Sequence, residues 1–164
     1  MKHKIEQVHY LKREKKFTCL ITKDHKLLDA LNKSGLANEG YVTHNADHPI
    51  EHYNDAYWYF VTNPKQVINP VANLQPFIID GPKDTLKILR ELGLYTFEQY
   101  IDESYDNIAD DSDRHAAVVE LAIDLTLMSH ERHVNLMYKA KPLLERNQSI
   151  FFNDPLFELL DHQL

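Results

Sequence analysis

The stretch FIIDGPKDTLKILRELG (residues 77–93) decides the fold class of this chain. Phe77-Ile78-Ile79 is an apolar run of the length of a buried strand. Asp80-Gly81-Pro82 is a turn that can begin a helix, because proline is favoured in a first helical turn. Leucines at 86, 89 and 92 line one side of that helix, and Gly93 stands where the helix should end. Residues 77–93 therefore predict one complete β-α unit.

The rest of the chain predicts further strands and helices. Two more strands are expected at Phe17–Thr22 and Tyr57–Thr62, with a short one at Tyr95–Phe97. A helix from Lys26 to Ser34 should end at Gly35, whereas residues 38–55 are rich in turn-forming residues and predict a loop. Prolines at 64, 70, 76 and 82 allow only short helices between the strands.

Helices dominate the second half of the chain. A helix capped near Asp110 carries a core-facing stripe of Val118, Leu121, Ala122 and Leu125. Another should run from His130 towards Asn147, kinked or broken at Pro142, and a last short helix should open at Pro155. The prediction is one α/β domain (1–164): a basic arm or helix (1–14), a core (15–128) with a small, mostly parallel, Rossmann-like sheet flanked by helices, and a helical C-terminal tail (129–164).

Composition excludes several classes of protein. The chain has 164 residues, of which 43% are hydrophobic and 26% charged, a balance that is typical of a globular domain and not of intrinsic disorder. A single cysteine, Cys19, excludes an intramolecular disulfide and a zinc site built on cysteines. No apolar run has the length of a membrane span, and no signal peptide is recognisable. We expect no membrane association and a location in the cytoplasm.

Charge is distributed unevenly along the chain. Residues 1–33 hold nine Lys/Arg and four Asp/Glu, whereas the other residues hold nine and twenty-one, and the total is −7. A basic arm on an acidic body could bind nucleic acid, an acidic protein or a second copy of the chain. The acidic total and the absence of a recognition motif argue against nucleic acid.

Several clusters of polar residues are candidate sites, and each has a simpler structural explanation. The acidic residues between 102 and 113 fall partly at the positions of a calcium loop, but Asn107 replaces its glycine and Asp113 its bidentate glutamate. His44, His48 and His52 are spaced for a helical metal site, but Pro49 interrupts that helix. Helix capping and solvation explain these residues better, so no metal or cofactor is predicted.

Two further clusters could bind an anion. The turn around Lys83 could place a phosphate at a helix N-terminus, although Asp80 and Asp84 would repel it. His130 and His133 flank Arg132 and could serve an anion or acid–base chemistry, or be ordinary exposed residues. No serine or cysteine lies at a spacing that predicts nucleophilic catalysis, and the catalytic residues stay unassigned.

Residues 60–79 (FVTNPKQVINPVANLQPFII) carry a family resemblance. The run is similar to F-x-T-E-K-T-x-K-P-I-A-x-x-x-P-F-I in a glycosyltransferase-like family that is common in tailed phages and marine bacteria. The resemblance continues through Gly81-Pro82, the helix to Gly93, the segment IDESYD (101–106) and Arg114. It covers most of residues 15–152.

The resemblance implies a GT-B-like fold in which this chain is the donor half, with a nucleotide-sugar held without a catalytic metal. By position, Thr62, Asn63 and Lys65 would lie at the donor site, and Asp102, Glu103 and Tyr105 would face or brace it. Lys65, Lys83 and Arg114 are the cations that could stabilise a departing diphosphate.

The chain also departs from the family. Asn63-Pro64 replaces the family's Glu-Lys pair, and proline has neither a charge nor an N–H to offer a diphosphate. Only residues 41–60 connect the first β-α unit to the next strand, too few for an acceptor-binding half.

Two functions follow from the resemblance and the departures. The first hypothesis is a degenerate, non-catalytic interaction domain that binds a protein partner or itself, in a virion or against a host factor in the host cytoplasm. The alternative is a minimal glycosyltransferase that binds a nucleotide-sugar.

Overall fold

A computed structural model describes residues 13–20, 26–43 and 55–153. Four parallel strands form one sheet in the order β2-β1-β3-β4: β1 (Lys15–Leu20), β2 (Gly40–Thr43), β3 (Ala56–Val61) and β4 (Phe77–Ile79). Among the described residues five α-helices accompany the sheet: α1 (Lys26–Lys33), α2 (Ile68–Ala72), α3 (Thr85–Glu91), α4 (Asp111–Leu127) and α5 (His130–Asn153). Short 3₁₀ helices cover Ala37–Glu39, Pro64–Val67 and Ser104–Asn107. The predicted α/β class with a small parallel sheet flanked by helices is confirmed.

The core of the domain is centred on β3, whose six residues are all buried. Trp58 lies opposite Phe17 of β1, and Tyr59 opposite Phe77 of β4. Phe17 stacks on Phe60 with ring centroids 4.6 Å apart. Full burial of one such aromatic side chain contributes about 2 kcal/mol of hydrophobic free energy, so the central strands account for much of the stability.

The predicted β-α unit at residues 77–93 is present. The strand covers Phe77–Ile79, and the helix begins at Thr85 and ends at Glu91. Gly93 has φ 95°, a left-handed conformation that L side chains rarely adopt, and Gly35 after α1 has φ 73°. Both glycines therefore end their helices as the sequence predicts.

Two secondary-structure predictions are wrong. Residues 40–43, expected to be loop, form the strand β2, which pairs with β1 at the edge of the described sheet. Residues 95–97, expected to be a strand, are irregular, because the side-chain amide of Asn147 bonds both the N–H and the carbonyl of Tyr95 at 2.8 Å. The backbone polar groups of Tyr95 are thus satisfied without a neighbouring strand.

Of the two outcomes predicted for Pro142, a kink or a break, the break is wrong, because α5 continues through Pro142 to Asn153. Proline in a helix interior costs about 3 kcal/mol. Ala140 and Leu144 on either side of it are buried, and the packing of this face offsets that cost. The predicted helix at Pro155 lies outside the described residues.

The helix predicted for the C-terminal segment is integrated into the domain. The side chain of Gln148 donates to the carbonyl of Ala72 at 2.9 Å, and α2 packs along α5. Nearer its start, His133 of α5 stacks on Tyr57 of β3 at 4.7 Å. None of the helices in the described ranges is long and apolar enough to cross a membrane.

Candidate functional site

The candidate site lies where the topology of the sheet reverses. From β1 the chain passes to β2 on one side, and β3 then pairs on the other side of β1. In open parallel sheets, ligands bind beyond the carboxyl ends of the two strands at such a switch point. The segment after β1, residues 21–25, lies outside the described residues. The segment after β3 contains Thr62, Asn63 and Lys65, which are three of the predicted donor-site residues.

Thr62 and Asn63 make local structural bonds at this edge. The Thr62 hydroxyl donates to the carbonyl of Leu20 at 2.7 Å and so ties the end of β3 to the end of β1. The Asn63 side-chain oxygen accepts from the N–H of Lys65 at 3.1 Å and caps the 3₁₀ helix that follows. The Lys65 side chain is exposed. Of the three, the amide of Asn63 and the ammonium of Lys65 are the groups presented towards solvent.

The segment after β4 contacts the segment after β3. A Cβ atom added to Gly81 would lie 2.9 Å from Cγ of Pro64, which is too close for an ordinary contact. The exposed Lys83 has its ammonium 3.9 Å from the carboxylate of Asp84. Lys83 is therefore a solvated surface cation at the same edge.

Asp80 and His115 form a pair at this edge that the sequence analysis did not identify. The Nδ1 atom of His115, in α4, contacts the carboxylate of Asp80 at the end of β4. The two residues are 35 positions apart, and no local pattern relates them. The contact between Asp80 and His115 links α4 to the edge of the sheet.

Arg114 anchors the start of α4 and is almost completely buried. Its Nε donates to the carbonyl of Gly81 and its Nη1 to the carbonyl of Ile108, both at 2.8 Å, while Nη2 contacts Asp111. A guanidinium has five N–H donors in a rigid fork. Three nitrogens of this fork are used within the chain, so Arg114 has a structural role.

The acidic motif (residues 101–106, IDESYD) also bonds inward. The buried Glu103 carboxylate accepts from the N–H of Phe97 at 2.7 Å and from Arg90 at 3.1 Å. Burial raises the pKa of Glu103, although these hydrogen bonds oppose the shift. Glu103 therefore holds the irregular segment around Phe97 in place.

Asp106 caps helix α3 from 20 residues away. One of its carboxylate oxygens accepts from the N–H of Leu86 at 2.9 Å and the other from the N–H of Lys87 at 3.1 Å. The carbonyl of Asp106 also accepts from the N–H of Asp84 at 2.9 Å. The first N–H groups of a helix have no intrahelical acceptor and favour an anion. The acidic motif thus supplies this acceptor itself.

Tyr105 and Asp102 complete the motif. The buried hydroxyl of Tyr105 accepts from the N–H of Ile79 at 3.3 Å, and burial raises its pKa. Asp102 is exposed and accepts from the N–H of Ser104 at 2.9 Å, and its hydrogen bonds with Ser104 lower its pKa. Of the predicted motif residues, Asp102 alone has its carboxylate at the surface.

The predicted site residues do not all meet in one place. An open depression of about 280 Å³ is lined by Arg90, Glu98, Ile101, Asp102, Glu103, Ser104 and Asn107. Asp102 and Glu103 are the only predicted site residues along it. Thr62, Asn63, Lys65 and Lys83 lie instead in the segments that follow β3 and β4.

No group of acidic, histidine or cysteine side chains in the described part of the chain could hold a metal ion. His44, His48 and His52 lie outside the described residues. Cys19 is buried, and burial raises the pKa of its thiol, which makes it a structural residue.

His133 is a core residue, so the interpretation of it as an ordinary exposed residue is wrong. It is fully buried: its Nδ1 accepts from Trp58 at 3.2 Å and its Nε2 lies 2.8 Å from the carbonyl of Leu125. Burial lowers its pKa to about 4, so the ring is neutral and carries its proton on Nε2. His130 contacts the Tyr57 hydroxyl at 3.2 Å.

Comparison with protein-family models, with curated proteins and with solved structures finds no match to this chain.

Proposed function

We propose that this chain is a non-catalytic interaction domain built on a glycosyltransferase-like α/β fold. One observation carries the proposal: three of the polar side chains of the acidic motif, those of Glu103, Tyr105 and Asp106, bond inward. Glu103, Tyr105 and Asp106 each bond a backbone N–H of the same domain. The oxygens of these side chains are already hydrogen-bonded within the domain, so they stabilise the fold.

The cations of the resembled donor site support the same conclusion. Catalysis by departure of a diphosphate needs positive charge aimed at the leaving group. Arg114 is bound to carbonyls and to Asp111, and the exposed Lys83 lies beside an acid. Lys65 follows Pro64, the residue that replaces the family's lysine.

A protein partner fits the chain's charge better than a polyanion does. The net charge of −7 disfavours nucleic acid, whereas the separation of basic from acidic segments favours a charge-complementary protein. The resemblance to a family that is common in tailed phages and marine bacteria suggests a virion component or a host-factor binder.

A nucleotide-sugar ligand is the second candidate function. It is favoured because Asn63 and Lys65 lie at the switch point, with the amide and the ammonium at the surface. Asn63 could bond a ribose hydroxyl and Lys65 a phosphate.

A panel of UDP- and GDP-sugars separates the two functions. A ligand at 100 times its dissociation constant stabilises a protein by about 2.7 kcal/mol, which is readily measured as a rise in melting temperature. We expect no rise at millimolar ligand and no sugar transfer or donor hydrolysis. A rise that Lys65→Ala removes, and that Lys33→Ala on the exposed end of α1 leaves intact, would contradict the proposal and favour the second candidate.

A further inference from the structure

Three exposed cations form a row along α5: Arg132, Lys139 and Arg146. They are spaced by seven residues, or about 10.5 Å along the axis at 1.5 Å per residue, and deviate from a straight line by only about 20° per step. None of the three forms an ion pair with another described residue. Arg146 lies over the exposed ring of Tyr95, 5.2 Å from its centroid. We call these three cations the basic row.

Three exposed acids form a matching row along α4: Asp113, Glu120 and Asp124. Asp113 and Glu120 are also seven residues apart, and Asp124 follows Glu120 by one helical turn. Within the described ranges these acids form no ion pair either. Leu127 continues the row and is 65% exposed. We call these three acids the acidic row.

We propose that the chain associates with itself, the basic row of one copy binding the acidic row of another. This inference rests on the proposed function and names its partner as a second copy. The two rows carry equal and opposite charge, the first two members of each row are about 10.5 Å apart along the helix axis, and neither row forms an ion pair among the described residues. Charge complementarity of this kind steers association and fixes its register more than it adds affinity.

The net charge of −7 restricts where two copies of the chain can touch. Two acidic copies repel each other at most orientations, so attraction requires that a basic surface of one faces an acidic surface of the other. Exposed ion pairs are individually weak and are screened within about 10 Å at 0.1 M salt. We therefore expect weak association that is strongest at low salt.

Sedimentation velocity of the full chain at low and high salt tests the proposal. The wild type should sediment as a dimer or larger species at low salt and as a monomer at high salt. The double variants Lys139→Glu/Arg146→Glu and Glu120→Lys/Asp124→Lys should each weaken association at least about tenfold. An equimolar mixture of the two variants should associate again, because each then supplies an unaltered row of the original charge.

A control variant distinguishes an effect of the two rows on association from an effect of the total charge. Lys87→Glu/Lys141→Glu changes the total charge as much as the first variant does but alters exposed lysines outside the basic row. It should keep wild-type association, and circular dichroism should show every variant folded.

A wild type that is monomeric at low salt would overturn the proposal. So would association that survives reversal of either row, or a mixture of the two reversed variants that stays monomeric. None of these results changes the outcome expected from the nucleotide-sugar panel. Failure of the self-association is therefore distinguishable from failure of the proposed function.

Discussion

Acidification should destabilise this domain through one buried imidazole, that of His133. The ring is held neutral between the Trp58 N–H on Nδ1 and the Leu125 carbonyl at Nε2. A proton added to Nδ1 would face the Trp58 N–H and remove the acceptor that it uses. Lys16, His130 and Arg132 also disfavour a positive charge on His133.

The size of this loss of stability follows from the lowered pKa of His133. The folded state has a pKa of about 4 at His133, against 6.5 for an ordinary histidine. Between these two values the unfolded chain binds more protons than the folded one, so stability falls as the pH falls. The full pKa difference corresponds to about 3 kcal/mol of unfolding free energy. About 2 kcal/mol of this stability should be lost between pH 7 and pH 5.

Urea unfolding at pH 7 and pH 5 measures this loss. Trp58 is the only tryptophan of the chain and bonds His133 directly, so its fluorescence reports the transition. In His133→Gln the amide can occupy the site without titrating, and the stability difference between the two pH values should shrink by about 2 kcal/mol. Asn135→Gln, at an exposed position of the same helix, is the control and should retain the wild-type difference.

Equal pH dependence in the wild type and in His133→Gln would refute this reasoning. So would a fluorescence midpoint for the wild type that does not move between pH 7 and pH 5. Either result would mean that His133 keeps an ordinary pKa in the folded state.

Three further predictions concern contacts that only the folded structure reveals. Asp106→Ala should lower the free energy of unfolding by about 2 kcal/mol, because the cap of α3 is lost, and Asp106→Asn by less; urea titration measures both. Gly40→Ala should cost about 1–3 kcal/mol, since its Cβ would overlap the buried Phe17 ring, and a lower melting temperature would reveal it. Lys16→Met should cost about 1 kcal/mol, because the ammonium bonds the carbonyls at the end of α4, and amide exchange should increase there. An unchanged stability in any of these variants would contradict the assigned contact.

Elements set by neighbouring residues were predictable. The bounds of β4 agree with the sequence pattern, and α1 and α3 end at the expected glycines, because strand length and helix caps depend on residues close in the chain. The strand β2 was missed because it has only four residues and its stability comes from pairing with β1. The continuation of α5 past Pro142 has a similar reason: the packing of α5 lies outside any local pattern.

The site residues were recognisable as a group, but their roles were not. The motif IDESYD stood out by its composition, and an exposed acidic loop was a reasonable interpretation. Arg114 and Tyr105 are predicted ligand-binding residues, yet in the fold Arg114 bonds Gly81 and Tyr105 bonds Ile79, which are 33 and 26 residues away. No periodicity connects residues at those separations.

Alternating apolar runs, capping residues and glycine stops were enough to specify an α/β domain, since they act over a few residues of chain. The direction in which Glu103 and Asp106 point depends on which backbone N–H groups the folded chain brings beside them. A carboxylate beside an otherwise unsatisfied N–H accepts its hydrogen bond and becomes part of the scaffold. The same carboxylate turned towards water would be available to a ligand. That choice is made by long-range packing, which is why the structural role of Glu103 and Asp106 is visible only once the chain is folded.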